Sequence, residues 1–330
     1  MKNRDVAFPS DMPKSLEEYA EWLDQRELLW PAAPVPVPPK ATPFLKRLED
    51  VRAVTWGVYG TLLSISEGRL AFLHPDPLCM EIAVDKTIRE FNMWNSMSRK
   101  PGAPWEYMFH QYKRLVEANL LAASPHSGEA REVNAAHIWE VLIERLTKKD
   151  FVWDEDAYGD MDELSEKVAW FFHSALQGTA AQPNALLALK HVHAAGLHQG
   201  LVGDGQCFTL MQLSRALAGQ GSVPPLNRLF NRGCVSLSFQ FGVRQPAATL
   251  FEACLKELEE RGIAPREVLH VASRLKDELA PAKKLGMQTA LYAGDAASLA
   301  ATPAEVQSPE LRPDRILTDL RQIRQILKSE

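Results

Sequence analysis

VRAVTWGVYGTLL, Val51 to Leu63, is the stretch on which the fold turns. Val51, Ala53, Val54 and Trp56 form a short apolar run that stops at Gly57, the pattern of a strand buried on both faces. Gly60-Thr61-Leu62 follows at once. A buried strand that breaks at a glycine usually delivers a reactive side chain to the mouth of a sheet. Here the delivery point is Gly57, which has no side chain to deliver.

Outward from this strand the rhythm is uneven. LLSISEGRLAFLH (62–74) reads as hairpin-like, and from about Met80 to Leu176 nearly everything reads helical. Aromatic residues recur there, among them Trp94, Trp105, Trp139, Trp153, Trp170 and Phe171, and belong mostly to a helical core. After Thr179, apolar strands alternate with amphipathic helices. NALLALKHVHAAG is a helix closed by Gly196, then come the strand around HQGLVGDG and the helix FTLMQLSRALAG. The strand CVSLSFQFG, the helix PAATLFEACLKELEERG, the strand EVLHVAS, the helix LAPAKKLG and the strand MQTALYAG complete the series before DRILTDLRQIRQILKS. Such alternation predicts a parallel sheet covered on both faces, with ligands at the carboxyl ends of its strands. The loops to inspect follow Trp56, Val202, Phe241 and Val271.

Upstream, Ser15-Leu-Glu-Glu18 is a capping-box pattern that predicts a helix to about Leu28. WPAAPVPVPPKATP, Trp30 to Pro43, is too proline-rich for helix or central strand and predicts extended polyproline geometry. Its interleaved Val and Ala residues and Trp30 point to a strap across the protein's own surface; a docking segment for another protein is the alternative.

With 330 residues, 46% of them hydrophobic and 24% charged, the chain can bury a large core. A net charge of −5 argues against a nucleic-acid or anionic-membrane partner. No apolar run approaches the roughly 20 residues that cross a bilayer, and the N-terminal stretch reads as no secretory signal. Cys79, Cys207, Cys234 and Cys254 are scattered, without a CxxC pair, and are expected to be reduced thiols of a cytoplasmic protein.

The four loops, in order and spacing, resemble the motifs of the haloacid dehalogenase (HAD) superfamily of phosphatases and dehalogenases. WGVYGTL (56–62) is similar to the first motif, Asp-x-Asp-Gly-Thr or, in the dehalogenase-like branch, Asp-x-Tyr-Gly-Thr. LVGDGQ (201–206) is similar to the second, an apolar strand ending in Ser or Thr. GVRQP (242–246) is similar to Gly-Val-Arg-Lys-Pro, and HVASRLKDELAPAKKLGM (270–287) to the fourth motif. The resemblance covers about Val51 to Lys328. It implies a three-layer, Rossmann-like α/β core over 46–75 and 178–330 with an all-helical cap over 76–177, preceded by an N-terminal helix and strap over 1–45.

The departures matter as much. Where the resemblance implies the nucleophilic aspartate stands Gly57, and Tyr59 replaces the acid two residues on. The Ser or Thr of the second motif is Gly203, followed by Asp204; the lysine is Gln245. The fourth motif's first carboxylate is Ser273 and its second Glu278. The implied reaction runs through an aspartyl ester, and Gly57 offers no atom to form it. Deleting a nucleophile in a comparable covalent mechanism costs on the order of 10⁶ in turnover. Magnesium binding needs one or two carboxylates, and both positions that supply them are replaced, so no Mg²⁺ and no other cofactor is expected.

The expectation is therefore a binding, scaffold or ligand-sensing pseudoenzyme. A small anion or a protein partner would be held by Arg244, Arg274 and Lys276, with Asp204, Asp277 and the backbone N–H groups of Gly60 and Thr61 beside it. The alternative is a hydrolase whose catalytic carboxylates have moved to Asp204, Asp277 or Glu278. Against that, Asp277 and Glu278 also fit as acids at a helix N-terminus, and Asp204 as a turn residue. His191 and His193, two apart on a helix, face different directions and make a poor metal pair.

Overall fold

The computed structural model describes residues 14–97, 102–126 and 128–327. They divide into two compact units: the described residues within 1–31, 71–118 and 134–176 form one, and those within 32–70, 119–133 and 177–330 the other.

The second unit is built on a six-stranded sheet. In chain order its strands are β1 (Ala53–Trp56), β4 (His198–Gly203), β5 (Val235–Leu237), β6 (Val268–Ala272), β7 (Gln288–Tyr292) and β8 (Arg315–Leu317). Their spatial order is β5-β4-β1-β6-β7-β8, every neighbouring pair parallel. A separate antiparallel pair joins β2 (Leu63–Ser64) to β3 (Ala180–Ala181). Parallel strands need crossovers, and the crossover helices bury both faces of the sheet. Successive residues accordingly enter different cores. Val54 and Trp56 of β1, Leu201 of β4 and Leu269 and Val271 of β6 share one apolar cluster with Leu186 and Leu189 of the helix Ala185–Ala194. Ala53, Val202 and Val268 face the other way, into a cluster with Phe251, Leu255 and Leu258 of the helix Ala248–Glu259. The period of two that assigns side chains to faces is that of any strand.

Polar side chains of neighbouring strands meet inside this sheet. The Thr55 hydroxyl lies 2.9 Å from His270 Nδ1 across the β1–β6 pair. The Trp56 indole donates to Gln199 Oε1 at 3.1 Å, and the Gln199 amide donates in turn to the carbonyls of Leu189 and Leu229.

The first unit is all helical: α1 (Leu16–Asp24), α2 (Pro77–Glu90), most of α3 (Pro104–Leu121), α4 (Ala135–Thr147), α5 (Glu155–Tyr158) and α6 (Met161–Leu176). The capping box of α1 is present in full: Ser15 Oγ accepts from Glu18 N–H, and Glu18 Oε2 from Ser15 N–H. The fully buried Tyr19 sits among the rings of Trp22, Phe91, Tyr158 and Trp170. Trp30 meets Phe171 edge-on at 5.1 Å.

Several elements differ from their sequence reading. α1 stops at Asp24 because Gln25 to Glu27 form a turn with Glu27 at a positive φ of 51°. The stretch 62–74 is no local hairpin, since Leu63 pairs with Ala181 instead. CVSLSFQFG is strand only to Leu237; Ser238–Phe241 is a helical turn that ends at Gly242 in the left-handed region. The closing amphipathic stretch contributes the edge strand β8 before it turns helical. In the proline-rich segment the valines point outward: Val35 is 83% and Val37 62% exposed. Its contact with the α/β unit is made by backbone, as Ser64 Oγ donates to the Pro34 carbonyl and Ala296 N–H to the Val37 carbonyl. Residues 119–133, inside the stretch read as helical cap, belong to the α/β unit.

Candidate functional site

β4, β1 and β6 are adjacent, so their carboxyl ends bring Gly203–Asp204, Gly57 and Ser273 together. Gly57 continues the ladder, its N–H donating to the Val271 carbonyl at 2.9 Å. The chain then turns sharply. Gly60 has a φ of 81°, and a side chain there would lie 2.8 Å from Ser273 Oγ and 3.0 Å from the Gly68 carbonyl oxygen. Both the backbone region and the space therefore demand glycine. Thr61, fully buried, accepts from Ser273 N–H at 3.0 Å and ties the first loop to the loop after β6.

The place left by the missing side chain at Gly57 is filled. A Cβ built there would meet Glu278 Oε1 at 2.7 Å, Thr61 Oγ1 at 3.0 Å and the Ala272 methyl at 3.4 Å. Glu278 comes from the turn Leu275–Leu279, is 2% exposed, and is steadied by Arg274 N–H, which donates to its Oε2 at 3.0 Å. Burial outweighs Arg274 and pushes this carboxyl up to about 8, so it is mostly protonated at neutral pH.

A carboxyl pair lies at the end of β4. Asp204 Oδ1 accepts from Gln245 N–H at 2.8 Å. Glu132 is 8% exposed, and burial with the nearby Asp204 charge raises it; Asp204 is raised too, by burial first. Two acids so placed cannot both ionise cheaply. Glu132 arrives on a segment that pairs with the loop after β5: Glu132 N–H donates to the Gly242 carbonyl and Arg244 N–H to the Ala130 carbonyl. It was not among the residues picked out by sequence, because it lies about 70 residues from the nearest motif on either side and no local spacing links it to them.

The residues expected to hold a ligand are largely committed elsewhere. The N–H groups of Gly60 and Thr61 donate within their own loop, to the carbonyls of Leu63 and Val58. Arg274 binds Asp277 through two nitrogens at 3.0 and 2.6 Å. Lys276 pairs with Glu305 at 2.6 Å. Arg244 is exposed and, among the described residues, is in no ion pair. Tyr59 is buried, its hydroxyl 3.0 Å from Thr209 Oγ1 and donating to Gln212 Oε1 at 2.7 Å, and burial raises its pKa. Gln245 Nε2 and Ser273 Oγ, 9% and 1% exposed by residue, find no hydrogen-bond partner. The Gln245 amide lies 3.7 Å from where a Cβ on Gly203 would stand. Among the described residues no group of three or more His, Cys, Asp or Glu is placed to hold a metal ion, and no helix is long and apolar enough to cross a membrane.

Comparison with known proteins gives no matching family model and no matching curated protein. Solved structures do match. A 2-haloacid dehalogenase from Pseudomonas syringae pv. Tomato DC3000 is 16% identical over 83% of this chain and 96% of its own, with a TM-score of 0.49. A HAD phosphatase from Thermococcus onnurineus is 17% identical over 83% and 96%, with a TM-score of 0.42. A dehalogenase determined with an intermediate complex is 16% identical over 84% and 96%, with a TM-score of 0.44. These three similar structures are two dehalogenases and a HAD phosphatase.

Proposed function

We propose that this chain is a HAD-like protein without aspartyl-ester chemistry, whose strand-end loops serve binding. One observation carries this reading: the carboxyl of Glu278 occupies the space a nucleophile at position 57 would need. The position therefore has no reacting atom, and a side chain there would require the Glu278 carboxyl to shift. The donor set also suits magnesium poorly, because Gly57 has no ligand atom, Ser273 offers a hydroxyl, and Glu278 is held mostly protonated.

The test is hydrolysis of p-nitrophenyl phosphate and 2-chloropropionate, with and without Mg²⁺, alongside calorimetric Mg²⁺ titration. The parent is expected to turn over neither substrate and to bind no Mg²⁺ at millimolar concentration. Gly57→Asp alone should remain inactive and lose stability, since its carboxyl collides with Glu278. Combining it with Ser273→Asp and Glu278→Asp should restore Mg²⁺ binding. Millimolar or tighter Mg²⁺ binding by the parent would overturn the reading.

A second reading rests on the three raised carboxyls. Glu278 keeps its proton near neutral pH and the Glu132–Asp204 pair keeps one between its two members, the condition for general acid catalysis. Turnover by the parent that vanished in Glu278→Gln or Asp204→Asn would favour it.

A further inference from the structure

Two cysteines far apart in sequence meet at the edge of the sheet. Cys234 immediately precedes the edge strand β5, and Cys254 lies in the helix Ala248–Glu259 that packs over it. Both are in the same apolar cluster, 0% and 1% exposed. The Cys254 thiol donates to the Cys234 carbonyl oxygen at 3.7 Å, which sets the two side chains beside each other. Gly200 on β4 makes the room: a Cβ there would stand 2.9 Å from Cys234 Cβ and 2.5 Å from its carbonyl oxygen. Cys79 and Cys207 belong to neither this cluster nor this contact.

We propose that Cys234 and Cys254 are an oxidisable dithiol, a modification site that closes to an internal disulfide under peroxide. The roles follow from the surroundings. The adjacent Cys254 side chain, with Arg261, lowers the pKa of Cys234, whereas Cys254 is raised by Cys234 and by burial. The thiolate is the nucleophile in such chemistry. Cys234 thiolate attacks one oxygen of hydrogen peroxide, the O–O bond breaks, and the released hydroxide takes a proton to become water. Cys234 is then a sulfenic acid. The Cys254 sulfur attacks it, the S–O bond breaks, and a second water leaves with the Cys254 proton. Peroxide is reduced by two electrons and the two thiols are oxidised to one disulfide.

The bond would pin the helix to the strand at the sheet edge. That helix begins just after Gln245-Pro246, so the site lies on the element that follows one of the cleft loops. Because both thiols are shielded, oxidation has to wait for the three-residue edge strand to open, and it should be slower than at the less buried Cys79 and Cys207.

The experiment uses the whole native protein and hydrogen peroxide. After oxidation the chain is denatured, its remaining thiols are alkylated, and its peptides are mapped by mass. The expected result is a linked pair of peptides carrying Cys234 and Cys254, about 2 Da lighter than the sum of the two, and separated by dithiothreitol. In Cys254→Ser, Cys234 should instead be trapped as a sulfenic acid by dimedone. The mapping needs no variant, so a substitution that fails to fold does not blunt it. Full alkylation of both residues after Cys79 and Cys207 have been consumed would overturn the proposal. So would a disulfide that joins either of them to Cys79 or Cys207.

Discussion

At the scale of single residues, the decisive relation is between one side chain that is absent and one that has moved into its place. A larger residue at Gly57 would have to displace the buried Glu278 carboxyl, whose Oε1 lies 2.7 Å from where a Cβ would stand. The raised pKa of Glu278 has a consequence for stability. The unfolded chain ionises Glu278 near the ordinary glutamate value of 4.5, the folded one only near 8. Its contribution is thus fully present below pH 4.5, is lost as pH rises, and levels off above about 8. Within that window the loss is about 1.4 kcal/mol per pH unit. Glu278→Gln keeps an oxygen for Arg274 N–H and removes the titration. Urea unfolding of this variant between pH 6.5 and 8, above the range where the buried histidines titrate, should show a shallower fall than the parent, the remaining slope coming mainly from Glu132. Parallel pH profiles would show that Glu278 ionises freely in the fold.

At the scale of elements, the proline-rich segment is informative because only half of its expected role is found. Trp30 packs on Phe171 and Trp170 within the helical unit, as a strap residue should. The valines do not pack, because the segment is fixed by backbone hydrogen bonds and turns Val35 and Val37 to solvent. Apolar composition alone therefore misjudged which side chains hold it. Trp30→Ala is expected to cost about 1–3 kcal/mol through lost apolar burial and ring contacts. Val35→Ser should change stability by no more than about 0.5 kcal/mol, as at other exposed sites. Denaturant midpoints of the two variants check this, and a large loss at Val35 would mean that the valine is covered in solution.

At the scale of the whole molecule, the two units carry different buried titratable groups. His173 in the helical unit and His270 in the α/β unit are both driven down to about 3 by burial. Each is neutral in the fold and must charge on acidification, so its contribution is intact above pH 6.5 and is lost as pH falls toward 3. Glu278, Glu132 and Asp204 all sit in the α/β unit, against one comparable carboxyl, the half-buried Glu166, in the helical one. Hydrogen exchange should therefore show amide protection falling between pH 6.5 and 4 in the helical unit, where His173 charges, and holding in the α/β unit, where the gain from the three carboxyls offsets the loss at His270. Between pH 6.5 and 8 the loss should be concentrated in β1, β4 and β6. Equal losses in both units on the alkaline side would contradict this.

The sequence by itself determined the parallel α/β core, the alternation of its later strands and helices, the helical character of the long inserted block and the absence of a side chain at Gly57. Those properties are local: a strand buried on both faces reads as an apolar run, and a capping box or a glycine acts within a few residues. The tertiary structure decided what fills the gap at Gly57, because the reach of Glu278 depends on how the turn after β6 closes over β1. It also decided that Glu132 joins Asp204 and that Cys234 meets Cys254, since both pairings form only when distant segments pack. The charged residues Arg274 and Lys276 looked available for a ligand in sequence. They are engaged by Asp277 and Glu305 in the fold, because ion pairing depends on where side chains end and not on which loop carries them.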